Sequence, residues 1–161
     1  IKKDIFFICY SLTIIKLMNY CLITTDSKEE AYDIFLKRIN ERKWPLYERT
    51  SHIKEFMERD NLVFYIAKNG KNSKSLVASA SVNKVEKLND VVGDPDNKFK
   101  MLSYYLHLEN IRIFKKPIGI KELVNDLEFI KNKKNYGLDM LTGVVKISQN
   151  DFNYIIKNDY K

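Results

Sequence analysis

The sequence predicts a single α+β domain in which five or six short strands form a small barrel with flanking helices. Three observations indicate this class. Residues 62–67 are dense in β-branched and aromatic side chains, which predicts a strand buried on both faces. Residues 102–114 alternate apolar with polar side chains, as a half-buried antiparallel strand does. Helical patterns are inserted between the strands, and 161 residues are enough to bury one core.

The first elements in the chain are a strand and an amphipathic helix. Residues 20–24 predict a short strand, and Asp26 is placed to cap the helix that follows. Residues 27–41 carry apolar side chains at helical spacing on one face. Pro45 restricts Trp44 to extended geometry, so this helix has to end before Trp44.

The middle of the chain predicts a short helix, two strands and a long loop. Thr50 or Ser51 is placed to cap the helix. Its inward-facing side chains are expected to be Ile53, Phe56 and Met57. After the strand at residues 62–67 and a polar turn, residues 76–85 alternate weakly as a second strand. Residues 89–98 predict the longest loop of the chain.

The last third of the chain predicts a strand, a helix, a basic loop and a final strand. Pro117 is expected to end the strand at residues 102–114, and residues 118–127 predict a short helix. Residues 129–136 form a basic loop, and residues 141–147 predict a strand that Gly143 interrupts. Ser148, with Asp151 three residues later, marks the start of a terminal helix. The side chains of that helix expected to pack on the sheet are Phe152, Ile155 and Ile156.

The first seventeen residues differ from the rest of the chain. Their charged start and apolar run resemble the opening of a signal peptide, but Asp4 and Lys16 interrupt the pattern and no small-residue cleavage site follows. The apolar run is also shorter than the roughly 20 residues that span a bilayer. We therefore expect Met18 to be the native start, with residues 1–17 as a non-native extension and residues 18–161 as the domain.

Charge and cysteine content suggest a class of partner and a compartment. The net charge of +7 and the pI near 9.2 favour a polyanionic partner, although a lysine-rich surface that is simply solvated has the same composition. Cys9 and Cys21 form neither a disulfide framework nor a metal cluster. A reducing, cytoplasmic location is the expectation.

The sequence lacks the usual signatures of an enzyme. It has no glycine-rich phosphate loop, no nucleophile elbow and no His-Glu-x-x-His helix. His52 and His107 have no cysteine or carboxylate at ligand spacing, so no metal site is expected. Glu128 and Asp139 are separated by a loop, which argues against a general acid–base pair. We expect a protein without catalytic residues and without a cofactor.

The remaining chemistry consists of basic and aromatic side chains. Basic side chains in a loop or at a strand end can neutralise phosphates, and aromatic rings can stack on a base. The basic candidates are Arg112, Lys131, Lys133 and Lys134, and the aromatic candidates are Trp44, Tyr47, Tyr65 and Tyr136. A solvated lysine or an aromatic ring packed in the core is the alternative for each residue taken singly.

Several segments match a known family in order and spacing. They are Met-Asn-Tyr-Cys-Leu-Ile at residues 18–23, the Met-to-Phe-Tyr stretch at 57–65, the strand at 77–85, and the closing stretch at 123–134 followed by Gly143 and Asp151-Phe152. Together these segments resemble the EVE domains of the PUA-like superfamily, the last of them archaeal members in particular. The resemblance covers residues 18 to 157.

The chain departs from the EVE pattern at positions near the family's pocket. Cys21 stands where the family has tryptophan, and Arg59 stands where a turn glycine precedes the central strand. Residues 46–52 match the family's Arg-Asn-x-x-Ala-Arg-Asn loop only loosely. The polar residue that often follows the Phe-Tyr strand falls at Ala67 or Lys68. The resemblance therefore supports the prediction of the fold more strongly than the prediction of the ligand.

The resemblance implies a PUA-like mixed β-barrel with a pocket, similar to that of the YTH domains, for an unpaired or modified base. Trp44 and Tyr47 would stack on the base, and Thr25, Ser51 and Asn125 would bond its edge. The implied pocket wall consists of Thr24, Thr25, Trp44, Tyr47, Ser51, Tyr65, Lys68, Asn125, Phe129 and Tyr136. The expected phosphate contacts are Arg112, Lys131, Lys133 and Lys134.

The predicted function is non-enzymatic binding of nucleic acid, with RNA favoured over DNA because the superfamily's barrels mostly bind RNA. Two alternatives remain open. The same pocket can serve a small-molecule or nucleotide sensor or an enzyme, and the basic face can contact an acidic protein. Salt dependence separates phosphate binding from recognition of a free base, because phosphate contacts release counterions.

Overall fold

The computed structural model describes residues 16–24, 30–67, 70–94 and 97–160. Most of the expected N-terminal extension and the predicted cap at Asp26 therefore lie outside the described residues. Within these ranges, no helix has the length and apolar character needed to cross a membrane. The strands are β1 (Asn19–Thr24), β2 (Lys43–Tyr47), β3 (Asn61–Ile66), β4 (Ser75–Asp94), β5 (Asn97–Gly119) and β6 (Val144–Ile147). The helices are α1 (Ala31–Asn40), α2 (Ile120–Leu123) and α3 (Gln149–Asp159), and a 3₁₀ turn covers Tyr136–Met140.

The strands form one mixed sheet in the order β2-β5-β4-β3-β1-β6. β1 and β3 are parallel, and all other neighbours are antiparallel. The sheet is curled into a half-barrel, with β2 and β6 as its two edge strands. The predicted α+β class, with five or six strands and flanking helices, is therefore confirmed.

Hydrophobic side chains are buried on both faces of the sheet. Successive residues of a strand point to opposite faces, so Phe64 packs toward α1 while Val63 and Tyr65 pack toward α2 and α3. Residues 62–66 of β3 are buried as predicted, whereas Ala67 follows the strand and is partly buried. α1 contributes Ala31, Ile34, Phe35 and Ile39 to the buried set, which confirms its predicted apolar face.

The predicted loop at residues 89–98 is wrong, because β4 continues to Asp94 and β5 starts at Asn97. The outer half of this hairpin is exposed on most of its β4 residues, so its sequence lacks the apolar alternation of a half-buried strand. Pro117 also lies inside β5 rather than after it. It sits near a register shift between β4 and β5, where a missing N–H is tolerated.

Three further boundaries differ from the prediction. Residues 51–55 form turns instead of a helix, since His52 has φ +61°, and Met57 is 52% exposed instead of facing inward. Phe56 is buried as expected, with its ring centroid 4.3 Å from that of Tyr20.

α2 covers only Ile120–Leu123 of the predicted residues 118–127. β6 begins at Val144, directly after Gly143 with φ +74°.

The predicted start of the terminal helix is confirmed. The Ser148 hydroxyl accepts a hydrogen bond from the Asp151 backbone N–H at 3.0 Å. The Asp151 carboxylate does not complete a capping box. Instead it accepts from the N–H groups of Glu128 (2.7 Å) and Phe129 (3.0 Å), which ties the basic loop to α3. Ile155 is fully buried against the sheet.

Candidate functional site

A cavity of about 450 Å³ opens where the half-barrel fails to close. Its walls come from the edge strand β2, from Ile23 at the end of β1, and from the segment that leads into β6. Concave ligand sites in proteins are typically about 300–1,000 Å³. We call it the seam cavity. Its lining residues are Ile23, Arg38, Trp44, Pro45, Leu46, Tyr47, Glu48, Arg49, Thr50, Lys100, Met101, Leu141, Thr142, Gly143 and Val144.

The edge position of β2 explains why Pro45 is tolerated beside the seam cavity. The Arg42 carbonyl accepts from the Leu108 N–H at 2.9 Å, so Trp44 and Leu46 direct their backbone groups toward β5. Pro45 alternates with them and faces away from β5, where no N–H is needed. The open side of β2 therefore borders the cavity with backbone groups that no neighbouring strand pairs.

A polar cluster lies at one end of the seam cavity. The Tyr47 hydroxyl donates to Asp94 Oδ2 at 2.5 Å, and Arg38 Nη2 donates to the Tyr47 hydroxyl at 3.2 Å. Lys100 Nζ lies 4.7 Å from the centroid of the Tyr47 ring. Desolvation, and then the nearby Arg38 charge, lower the pKa of Lys100, while Asp94 opposes the shift. Two cations thus face one buried carboxylate.

Trp44 forms part of the core and part of the cavity wall. Only 3% of its surface is exposed, and its ring centroid lies 4.8 Å from that of Phe64. The Arg38 guanidinium carbon sits 4.8 Å from the centroid of the Trp44 ring, a cation–π contact. Arg38 Nε is buried and has no hydrogen-bond partner within the described parts of the chain. Arg38 therefore brings an unused donor to the wall of the seam cavity.

A second cavity, of about 410 Å³, lies beside the first. Leu141 lines both cavities. Burial raises the pKa of Tyr65, so its hydroxyl is neutral at ordinary pH and can donate a hydrogen bond. We call this the side cavity. Its lining residues are Tyr65, Ala67, Lys74, Lys134, Asn135, Tyr136, Gly137, Met140 and Leu141.

The predicted pocket residues are divided between the two cavities and the rest of the molecule. Trp44 and Tyr47 line the seam cavity, whereas Tyr65 and Tyr136 line the side cavity. Thr25 and Lys68 lie outside the described residues. The other predicted residues, Thr24, Ser51, Asn125 and Phe129, line neither cavity.

Those four residues have different surroundings. Thr24 is buried at the end of β1, and its hydroxyl has no partner among the described residues. Ser51 follows Thr50, which does line the seam cavity. Asn125 is exposed in the turn after α2. Phe129 packs against the core on the α2 and α3 side.

Of the four predicted phosphate contacts, only Lys134 lines a cavity. Arg112 Nη2 lies 2.6 Å from Asp159 Oδ2, and its guanidinium carbon sits 3.9 Å from the Tyr160 ring centroid. Lys131 Nζ donates to the Glu128 carbonyl at 3.0 Å, and Lys133 Nζ donates to the Leu127 carbonyl at 2.5 Å. These three side chains are engaged in contacts within the protein.

The two histidines are paired with glutamates. His107 Nε2 lies 2.6 Å from Glu86 Oε2 across β4 and β5, and this hydrogen bond lowers the pKa of Glu86. His52 Nδ1 lies 2.9 Å from Glu55 Oε1 in the turn before β3. Across the described ranges, no three His, Cys, Asp or Glu side chains are grouped to hold a metal ion.

Sequence reasoning missed Arg38, Lys100 and Asp94 as site residues. Arg38 carried a signal, because a charged residue at helical spacing on an apolar face is unusual unless it is paired or borders a cavity. Asp94 lay within the loop predicted at residues 89–98, and Lys100 lay just past it. The strand pairing between β4 and β5 that brings both residues toward Tyr47 was therefore not predicted. Their meeting depends on contacts distant in sequence.

No protein-family model matches the chain, and no curated protein matches its sequence. Solved structures match it in fold. Human THYN1 in complex with DNA containing 5-methylcytosine superposes with a TM-score of 0.56 and 14% identity, over 89% of this chain and 98% of that chain. The N-terminal domain of McrB from Staphylothermus marinus superposes with a TM-score of 0.56 and 12% identity, over 86% of this chain and 93% of that chain. Atu2648 from Agrobacterium tumefaciens superposes with a TM-score of 0.57 and 11% identity, over 88% of this chain and 92% of that chain.

Identities this low establish a shared fold. The matches cover 86–89% of this chain and 92–98% of each neighbour. The predicted fold, an α+β mixed barrel of five or six strands with flanking helices, is confirmed, and the structure shows it as a curled six-stranded half-barrel.

Proposed function

We propose that this domain binds nucleic acid and holds one unpaired or modified base in the seam cavity, without converting it chemically. The observation that carries the proposal is the cavity itself. It combines the aromatic walls of Trp44 and Tyr47 with the donors of Arg38 and Lys100 in one concave site. Aromatic rings and directed donors are what recognition of an extruded base requires.

The solved neighbours support the same class of ligand. Human THYN1, which shares the fold, was determined in complex with DNA containing 5-methylcytosine. The net charge of +7 is consistent with a polyanion. The resemblance to EVE domains favours RNA, whereas the neighbour's ligand is DNA, so the decisive experiment includes both.

The energetics favour a base that is already unpaired. Extruding a base from a duplex costs a few kcal/mol. Stacking on an aromatic side chain contributes roughly 1–3 kcal/mol per base, which offsets that cost only in part. Base edges carry carbonyl and ring-nitrogen acceptors, and the lining of the cavity includes the donor side chains of Arg38 and Lys100.

The test is a titration of the protein with short RNA and DNA single strands, with and without methylated bases. Trp44 is the only tryptophan, so its fluorescence reports directly on the seam cavity. We expect a change in Trp44 emission that saturates and that weakens with added salt. The bound oligomer, recovered and weighed by mass spectrometry, should be unchanged.

A blocking variant separates cavity binding from surface attraction. Thr142→Phe places a large ring at an exposed residue of the cavity wall, and at least a tenfold loss of affinity is expected by fluorescence anisotropy of labelled oligomers. Asn83→Phe adds the same ring to an exposed position of β4 outside both cavities and should leave affinity unchanged. Equal affinities for both variants, or no binding of any strand, would refute the proposal. Salt-independent binding of free nucleosides alone would indicate a small-molecule sensor instead.

A further inference from the structure

We propose that the side cavity is a second nucleotide subsite, which takes the nucleotide adjacent in the strand to the base in the seam cavity. This inference rests on the proposed function and goes beyond it, because it assigns the phosphate contacts and the direction in which the strand leaves the first cavity. It also replaces the single predicted pocket with two connected ones.

The charge of the side cavity selects an anion. Lys74 and Lys134 both line it, and neither has a carboxylate within ion-pair distance in the described portion of the chain. Among its described lining residues there is no Asp or Glu. The neutral Tyr65 hydroxyl adds a hydrogen-bond donor. Unpaired ammonium groups beside a neutral donor suit the phosphate of a nucleotide.

Hydrogen bonds fix the main chain on both walls of the side cavity. The Lys74 N–H donates to the Ile66 carbonyl at 2.7 Å, and the Lys74 carbonyl accepts from the Ile120 N–H at 2.9 Å. On the opposite wall, the Asn132 N–H donates to Asp139 at 3.0 Å, and the Asn135 N–H donates to Asn132 at 2.9 Å. A site fixed in this way loses less conformational entropy on binding.

The shape of the side cavity selects a nucleotide over a bare anion. Tyr136 offers a half-buried aromatic ring, and Met140 provides a buried apolar residue below it. An aromatic surface next to two cations is the combination used to hold a base and its phosphate together. Inorganic phosphate would leave this apolar surface uncovered.

Leu141 connects the two subsites. It is the residue shared by both linings, and 74% of its surface is exposed. Because both linings include Leu141, the two cavities are adjacent, and consecutive nucleotides of a single strand can occupy them. A strand passing over Leu141 would cover an apolar side chain that is otherwise in water.

The experiment is a length series measured by calorimetry. The probes are nucleotides of adenine, cytosine and 5-methylcytosine, in ribose and deoxyribose forms, with lengths of one, two and four. The proteins are the wild type, a Lys74→Gln/Lys134→Gln double variant, and a control with Lys87→Gln/Lys121→Gln. The control removes the same charge from exposed positions outside both cavities.

We expect the two-nucleotide probe to bind at least tenfold more tightly than the single nucleotide. The Lys74/Lys134 variant should lose this gain while retaining the affinity for the single nucleotide, and the control should keep both. If the second nucleotide adds nothing, or if the two double variants lose affinity equally, the side cavity is not a subsite, although the seam-cavity function stands. If no probe binds the wild type, the proposed function itself fails and the inference fails with it.

Discussion

Arg59 has an unusual backbone geometry at a position where the EVE sequences that this chain resembles carry a glycine. Arg59 occupies the position of the family's turn glycine and has φ +71°, so an L-residue with a long side chain sits in the left-handed region. Hydrogen bonds made by Arg59 and by the adjacent Asp60 stabilise the turn. The Arg59 N–H donates to the Val82 carbonyl at 2.7 Å, and buried Asp60 accepts from the N–H groups of Met18 (2.9 Å) and Met57 (2.8 Å).

Arg59→Gly should therefore stabilise the protein. Glycine adopts positive φ without a Cβ clash, and the relief should outweigh the extra freedom of the unfolded chain, for a gain of about 0.5–1 kcal/mol in the free energy of unfolding. Urea denaturation measures it. Lys54→Gly, at an exposed turn residue without positive φ, is the control and should destabilise slightly. A lower urea midpoint for Arg59→Gly would contradict the account.

A titratable pair joins β4 to β5 and gives a residue-scale pH dependence. The hydrogen bond from His107 lowers the pKa of Glu86, and Lys43 lies 3.6 Å away. Because the folded pKa lies below the unfolded one, this contribution is present above about pH 4.5 and is lost as pH falls through the folded pKa. Glu86→Gln should cost at most about 0.5 kcal/mol at pH 7, since the pair is partly exposed.

Denaturation of wild type and Glu86→Gln over a pH series tests this. The difference between the two should shrink as pH falls below about 4.5 and through the lowered pKa of Glu86, where the wild-type glutamate becomes protonated. Lys84→Gln, beside Glu86 on the same strand, removes a charge without removing the hydrogen bond and should show a smaller effect at pH 7. A difference that stays constant down to acid pH would show that the glutamate charge plays no part.

At the scale of elements, α3 and the basic loop act as one unit because of Asp151. The buried Asp151 carboxylate accepts hydrogen bonds from the N–H groups of Glu128 and Phe129. The backbone N–H of Asp151 donates to the Ser148 hydroxyl. Asp151→Ala leaves both loop donors unsatisfied, at about 1–3 kcal/mol each, so we expect a loss of roughly 2–4 kcal/mol in the free energy of unfolding. Chemical denaturation measures the loss.

Asn150→Ala is the matched control for Asp151→Ala. Asn150 is the neighbour on the same helix and also contacts the loop, through Glu128 Oε1 at 3.2 Å, but it is exposed. Its removal should cost less than about 0.5 kcal/mol. Equal losses for the two variants would mean that the buried carboxylate does not hold the loop.

The elements that the sequence predicted well are those whose signal is local. β3 and the inner part of β5 carry apolar patterns that burial requires, and the Ser148 cap is readable from its spacing. The outer hairpin of β4 and β5 was missed because most of its β4 residues face solvent and obey no alternation. The polar cluster at Tyr47 was missed because α1, β2 and the hairpin meet only after the sheet curls.

At the scale of the whole molecule, the candidate site is a consequence of an incomplete barrel. The edge strands β2 and β6 are far apart in sequence and are not paired with each other, yet residues of β2 and the segment entering β6 line the same cavity. Among the predicted pocket residues, Trp44 and Tyr47 line the seam cavity and Tyr65 and Tyr136 line the side cavity, a grouping that the sequence alone could not give. Tyr65 does not join Trp44 because neighbouring residues of β3 point to opposite faces of the sheet. Trp44 packs on Phe64, whereas Tyr65 lies on the other face.

A ligand in the seam should act as the missing contact between the two edges. Binding to the native state alone stabilises it by about 2.7 kcal/mol at a ligand concentration of 100 times Kd. The local signature is more specific than this global shift. Amides of Lys43–Tyr47 and of Val144–Ile147 should both exchange more slowly with solvent when a single-stranded oligomer is bound, while those of the outer hairpin should not change.

Hydrogen exchange followed by mass spectrometry measures this directly, with the Thr142→Phe variant as the control for loss of seam binding. Slowing at both edges in the wild type, and at neither in the variant, is the expected result. Slowing confined to the basic loop at residues 129–136 would mean that the strand binds by charge alone, outside the barrel. Because the two edges belong to distant parts of the sequence, joint protection of both edges with an unchanged outer hairpin is the result expected of one ligand that bridges the opening of the barrel.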